Sequence, residues 1–482
     1  MSITSILKFV SSVGLVVFFL FLVPPIIGFF YNEDVFVYLL SMSSLFIINL
    51  SLFLILKDSP MTLGIKESII SVNFIWILLG IGGAIPMILY THLDPASAFF
   101  EAVSGFTTTG ASVYSDVESL PKSILFHRSL MHWIGGIGII VLGVGLLPLL
   151  NPSGSMSLFK AESTGISMDK ITPKIKDTAN RIWAVYIIFT LLNFSLLWFF
   201  GMDGFDAINH AMSTISTGGF STKNSSIGYF NSEAIIWVTT FFMIISGINF
   251  LSHIRFFKGD KMSYNTEEVK WYLFLITFLS LSMGLIHYFD TPEIITFHDS
   301  MMHAFFNISA LATTTGFAST DYETWGQFAL MISILAMIMS ANSGSTAGGV
   351  KMIRYILFFK NIGLEMKRSL QPDVITSVFI DDRQIRPSII NAIFGFFALY
   401  ILTLFILFMY LYARGYDFIT AFSASVSMVG NIGPGLGEVG PTDNYGFFTW
   451  YDKIILSMAM IIGRLECYTV FMMLSRTFWK RF

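Results

Sequence analysis

The chain has 482 residues, 54% of them hydrophobic and 12% charged, with a formal net charge of -3. That apolar balance excludes a soluble globule and the net charge offers no case for nucleic-acid binding, so a polytopic membrane protein set in a lipid bilayer is expected. A single cysteine, Cys467, allows neither a disulfide framework nor a multi-cysteine metal site.

The first apolar run, 6–30, is long, contains Pro24 and Pro25, and lacks a convincing small-residue cleavage site; it is predicted to be a retained helix rather than a signal peptide. After the acidic turn Asn32, Glu33, Asp34, a second span over 35–56 completes a leading hairpin. Four units follow. Their first spans are predicted at 69–90, 182–200, 271–288 and 389–411, and their second spans at 125–150, 234–257, 328–359 and 454–474. The fold class is therefore an all-α polytopic membrane protein: a leading two-helix hairpin (1–60), then pore repeats 61–155, 156–260, 261–370 and 371–482. Each repeat is a helix, a re-entrant pore helix with a filter loop, and a helix, arranged around a central pore.

One short pattern sits between the spans of every unit: SGFTTTGAS around Gly110, STGGFST around Gly219, ATTTGFAST around Gly316 and VGNIGPG around Gly433. Twelve residues before each glycine stands Ala98, Ala207, Ala304 or Ala421, and six before stands Ser104, Ser213, Ala310 or Ser427, the register of a repeated supersecondary unit. Gly219 rather than Gly218 restores this spacing in the second copy. Sixteen before stand Asp94, Asp203 and Asp417, with Ser300 breaking the pattern and Asp299 one step away; these suit N-caps of short helices.

Such a segment is too short to cross a bilayer, and at membrane depth its amides need protein or water as partners, so four copies gathered around one polar axis are expected. A monovalent cation entering there must exchange its hydration for other oxygens, which inward carbonyls supply without fixed charge. Glycine permits that backbone, while threonine suits extended strands and adds hydroxyls. The expected filter residues are Thr108, Thr109, Gly110, Thr217, Gly218, Gly219, Thr314, Thr315, Gly316, Asn431, Ile432 and Gly433. Asn431, Ile432 and Pro434 replace the Thr-rich pattern in the last copy, so strict fourfold symmetry is not expected.

Basic residues fall mostly on the N-terminal side and between units, among them Lys160, Lys170, Lys174, Arg255, Lys258, Lys261, Lys360, Lys367 and Arg368; that face should be cytosolic. In the third unit the apolar run 328–339 meets Ser340 to Gly349, whose glycines and small polar residues should break the helix into a movable loop at membrane depth. Arg464 stands in an otherwise apolar stretch, where lipid exposure costs at least about 2.5–3.5 kcal/mol, so it needs carbonyls, an anion or water. Glu466, two residues on, is not an ideal same-face partner. Lys351 and Arg354 are expected to anchor the cytosolic end. His127, Arg128 and His132 lack metal-site spacing and suit capping or a pore mouth, and Gly135, Gly136, Gly138, Gly143 and Gly145 suit close helix contact rather than nucleotide binding.

The four turns, the broken third-unit helix and Arg464 together resemble the TrkH/TrkG/KtrB potassium transporter family, and the leading hairpin resembles its TrkH/TrkG branch. The resemblance implies K+ as the transported ion, no organic cofactor on this chain, a homodimer, and a cytosolic ring of nucleotide-binding regulatory subunits. It also implies a bacterial inner membrane with the filter entrance outside. Residues 340–349 would be the gating loop, with Gly344, Ser345, Thr346, Gly348 and Gly349 beside Arg464 beneath the filter. In the wider superfamily, sodium-preferring members can carry serine in the first filter turn; here it is Gly110. A sodium-preferring transporter of the same architecture is the alternative, followed by a membrane enzyme or receptor; no nucleophile-base set or zinc motif supports the latter.

Overall fold

A computed structural model describes residues 2–60, 64–150, 175–290, 295–372 and 377–480. The unit junctions expected at 61 and at 155–156, and the basic residues Lys160, Lys170 and Lys174, lie outside the described residues. Among those described, six helices are long and apolar enough to cross a membrane, or up to eight if each sharply bent pair counts as one span.

The first apolar run is two helices, Ile3–Leu20 and Val23–Phe30, interrupted at Phe21 and Leu22. Pro24 and Pro25 sit in the first turn of the second helix, where a missing N–H breaks no helical bond. Phe36–Ile55 returns beside Ile3–Leu20, and both pack on Ile65–Tyr90. That helix and its equivalents Ile175–Phe199, Glu267–Asp290 and Pro387–Ala413 are the four first spans. At about 1.5 Å per residue each exceeds the roughly 30 Å of hydrocarbon, and outward faces such as Leu191, Phe199, Phe274 and Phe405 are left exposed for lipid.

The pore helices are Pro95–Phe106, Gly204–Ile215, Phe297–Ala312 and Phe418–Gly430, of 12 to 16 residues. They are about 18–24 Å long, too short to span. Asp94, Asp203 and Asp417 cap three of them as expected: Asp94 accepts from Ser97 N, Asp203 from Phe205 N, and Asp417 from Ile419 N and Thr420 N. The third starts earlier. Its cap is Thr296, which accepts from Asp299 N, so neither Ser300 nor Asp299 holds that position.

Each pore helix packs on both spans of its own unit and on the second span of the preceding unit; the fourth unit's second span packs on the first pore helix. The units thus close into a ring. A two-stranded antiparallel hairpin, Phe379–Ile380 with Arg383–Gln384, is the one β-sheet among the described residues, turned by Asp381 and Asp382 at φ 45° and 62°.

Second spans depart most from expectation. A break was expected in the third unit alone, yet all four second spans break. Lys122–Leu150 is interrupted at Gly138, which has φ 68° and ψ 165°. Glu233–Ser246 meets Phe250–Phe257 at 97°, and Trp450–Arg464 meets Tyr468–Leu474 at 111°. In the second unit one helix ends at Gly247 and, two residues on, the Asn249 side chain caps the next helix through Leu251 N. In the fourth, Glu466 and Cys467 both take φ 59°.

Candidate functional site

The four glycine turns share one backbone. Thr108, Thr217, Thr314 and Asn431, two residues before each glycine, adopt φ of 52°, 55°, 55° and 54°, and the glycines follow at 81°, 89°, 74° and 102°. Between them, the N–H of Thr109, Gly218, Thr315 and Ile432 donates to the carbonyl of Ser104, Ser213, Ala310 and Ser427 at 2.8–3.0 Å. This is the six-to-one bond that ends a helix on a left-handed residue. It gives the six-residue register its physical meaning: that position supplies a carbonyl, so Ala310 serves as well as serine. Threonine in the left-handed region is strained by about 1–3 kcal/mol, and strain of this kind, here at matching positions in three turns, clusters at functional sites in proteins.

The turns converge in cyclic order. A β-carbon on Gly110 would lie 2.1 Å from Gly218 O, on Gly219 2.0 Å from Thr315 O, on Gly316 2.2 Å from Ile432 O, and on Gly433 2.5 Å from Thr109 O. Each glycine therefore leans against the carbonyl of the next turn, and the fourth contact returns to the first.

Side chains behind the ring hold the outgoing strands. On pore helix 1, buried Glu101 accepts from Val113 N at 2.8 Å and from Ser112 Oγ at 3.1 Å, and pairs with buried Arg128 Nε at 2.8 Å. Arg128 also reaches Ser221 O at 3.2 Å in the second turn and stacks 4.0 Å from the Phe220 ring, so one cation ties two outgoing strands. His132 does the same across turns, with Nδ1 to Gly105 O at 2.8 Å and Nε2 accepting from Phe220 N at 3.2 Å. Nine residues before the glycines, Glu101 has His210 and Asn307 as equivalents. His210 Nε2 lies 2.9 Å from Ser221 Oγ, and Asn307 Oδ1 accepts from Ser319 N at 3.2 Å. In the fourth unit Ala424 stands there and Ser423 substitutes, accepting from Leu436 N at 2.8 Å. Sequence reasoning missed this clamp, although a polar residue at that position in three copies was its signal.

The expected asymmetry of the last turn is present. Gly433 O accepts hydroxyls from Ser427 at 2.7 Å and Tyr445 at 2.9 Å, and Asn431 Nδ2 spans Thr109 Oγ1 at 3.0 Å and Met460 O at 2.9 Å. Thr108 Oγ1 is buried with no hydrogen-bond partner among the described residues.

Residues 340–349 pass directly below the ring. Gly348 N donates to Thr314 Oγ1 at 2.7 Å, and Thr346 Oγ1 lies 3.4 Å from Thr217 Oγ1 and 3.1 Å from Ile215 O. A β-carbon on Gly348 would lie 2.6 Å from Gly430 O, so the segment touches the second, third and fourth turns. Gly344 and Gly349 take φ of 73° and 63°, while Ser345 Oγ donates to Asn342 O at 2.6 Å. Arg464, at the break of its span, finds carbonyls: Thr346 O at 3.0 Å and Gly135 O at 2.8 Å. Gly135 and Gly136 allow the expected close approach, since a β-carbon on Gly135 would lie 1.9 Å from Phe106 O. Lys351 and Arg354 are not free anchors at a cytosolic end. Lys351 Nζ donates to Ala347 O, and buried Arg354 pairs with Glu466 and lies 4.0 Å from the Phe396 ring. Helix Met352–Leu370 begins at the level of the segment, which carries these charges inward.

Outside the spans, Glu323 accepts from Gly437 N at 2.6 Å, joining the third and fourth units. Burial, and then the neighbouring Asp321 and Asp443 carboxylates, hold its pKa above the ordinary carboxylate value.

A family model described as "TrkH: Cation transport protein" matches residues 36–288 and 292–480. The Trk system potassium uptake protein TrkH of Escherichia coli K12 is 36% identical over 423 residues, covering 86% of each chain. TrkG of the same organism is 32% identical over 463 residues, covering 95% of this chain and 94% of that one. The crystal structure of the potassium transporter TrkH from Vibrio parahaemolyticus superposes with a TM-score of 0.88 at 30% identity, covering all of both chains.

Proposed function

The chain belongs to the TrkH family of cation transport proteins, and on that premise we propose that it takes up K+ across a bacterial inner membrane through the ring of glycine turns, entered from the outer side. The cyclic contact of each glycine with the next turn's carbonyl is the observation that carries this reading. It supports a single narrow passage lined by main-chain oxygens of Thr109, Gly110, Gly218, Gly219, Thr315, Gly316 and Ile432. The Gly433 carbonyl, already accepting two hydroxyls, contributes least, and the unpartnered Thr108 hydroxyl is suited to the inner end.

K+ exchanges hydration for these oxygens and leaves downward toward the carbonyl ends of four pore helices. Each end carries about -0.5 elementary charge, so together about -2, which favours a cation beneath the ring. Acidic Asp321, Glu323 and Asp443 raise the local cation concentration at the mouth. The segment 340–349 lies across the exit as the gate, and Arg464, holding Thr346, adds a positive barrier there. Membrane potential supplies about 2.3 kcal/mol per charge per 100 mV for passive entry.

The reading includes a homodimer. It also includes a cytosolic ring of nucleotide-binding regulatory subunits meeting exposed Lys258, Lys261, Lys367 and Arg368. The test is growth of a host stripped of its K+ uptake systems. The wild-type chain restores growth at limiting K+ and Gly316→Ser does not; equal growth of both contradicts the filter.

A further inference from the structure

One carboxylate outside the filter and outside the gate segment grips both that segment and the helix that leaves it. Glu268 is the second residue of the third unit's first span and is nearly fully buried. Its Oε1 accepts from Ser343 N at 2.6 Å and from Ile353 N at 3.2 Å, and its Oε2 accepts from Ser343 Oγ at 3.1 Å. All three contacts are with donors, the arrangement an ionised carboxylate satisfies. Helix Met352–Leu370 begins after Lys351, whose side chain makes no capping bond to it. The acceptor that serine or aspartate would normally offer at that position comes instead from a neighbouring span. Burying a charge for a purely local cap is costly, since a residue on the helix itself could cap it in place. Placed on another span, the same cap couples the gate to that span.

The span in turn is tied to the cytosolic hairpin. Glu267 N donates to Asp381 Oδ1 at 2.8 Å, and Asp381 N returns the bond to Glu267 Oε1 at 3.1 Å. Lys360, on the helix leaving the gate, bonds Glu267 and also Phe379 O at 2.8 Å.

We propose that Glu268 is the latch of the gate, joining Ser343 to Ile353 while the loop is closed, and that the hairpin turn at Asp381 is the cytosolic handle that works it. The proposal rests on the reading of 340–349 as the gate. Glu268 is a positioning residue: it touches no ion, and releasing it frees the loop without altering the ring of carbonyls.

Single-molecule currents in planar bilayers test this with full-length Glu268→Gln, Asp381→Asn, the double variant, and a chain lacking 345–347. Losing a charge-assisted hydrogen bond should raise the open probability of Glu268→Gln roughly tenfold, with unitary conductance and K+/Na+ ratio unchanged. Glu268→Asp, which restores the charge with a shorter reach, should recover part of the closure. A generally weakened protein would instead show fewer active molecules with normal open times. Asp381→Asn should act in the same direction, and the double variant should match Glu268→Gln alone; additive effects overturn the handle. If the shortened loop opens the pore while Glu268→Gln behaves as wild type, the latch is overturned and the gate survives. If neither opens it, both readings fall. Should Glu268→Gln not reach the membrane, Ser343→Ala removes one of the three bonds, and unchanged gating in that variant overturns the latch.

Discussion

Two separate demands fix glycine at 110, 219, 316 and 433: a left-handed φ, and a neighbouring carbonyl within about 2–2.5 Å of where a β-carbon would stand. Gly219→Ala meets neither. It adds roughly 1–2 kcal/mol of backbone strain and pushes Thr315 O outward, so we expect the reversal potential to lose its K+ preference while the protein still assembles. The register of these glycines was legible in the sequence because an identical backbone device needs identical spacing. The left-handed Thr108, Thr217 and Thr314 were not, since a β-branched residue is the last type one would place there. Nor was the Glu101, His210 and Asn307 clamp, because three chemically different side chains do one job. The Glu101–Arg128 pair is buried, so Glu101→Ala leaves an uncompensated cation and should cost about 3–5 kcal/mol, read as a lower melting temperature in detergent.

Element by element, the short helices were readable from their caps. Asp94 and Asp417 both titrate below the ordinary carboxylate value. Burial pushes them up, but hydrogen bonds from Ser97 to Asp94, and from Thr420 and Ile419 to Asp417, outweigh it. Their capping stability is therefore complete above the unfolded pKa of about 4 and disappears as pH falls through the lower folded value. Replacing either with alanine should cost about 1 kcal/mol at neutral pH, and thermal melts should show the difference vanishing in strongly acidic buffer. The third cap, Thr296, escaped because its helix is one turn longer. Breaks in the second spans were legible only where glycines and small polar residues cluster, at 340–349. The breaks at Gly138, at 247–249 and at 465–467 rest on one or two residues whose helical alternatives look equally good, and tertiary packing decides them. Arg464 belongs to such a break, and its two carbonyl contacts come from different units. Arg464→Ala should raise K+ flux severalfold in proteoliposomes, and unchanged flux from a folded variant would remove it from the barrier.

For the whole molecule, closure of four unequal units is the property on which the proposed conduction depends. The second span of each unit packs on the next pore helix, and the leading hairpin braces the first unit from outside. The all-α membrane fold class was visible because the apolar spans alternate with short polar turns that must be buried; the cyclic order of the packing was not, because it depends on which face each span turns to its neighbour. The most direct measurement is K+ against Na+ flux in proteoliposomes under an imposed inside-negative voltage, for wild type and Gly316→Ser. The account predicts K+ entry well above Na+ entry in the wild type, following voltage without a proton gradient, and a collapsed preference in the variant. Equal K+ and Na+ entry in the wild type, or a variant that discriminates as well as its parent, would contradict it.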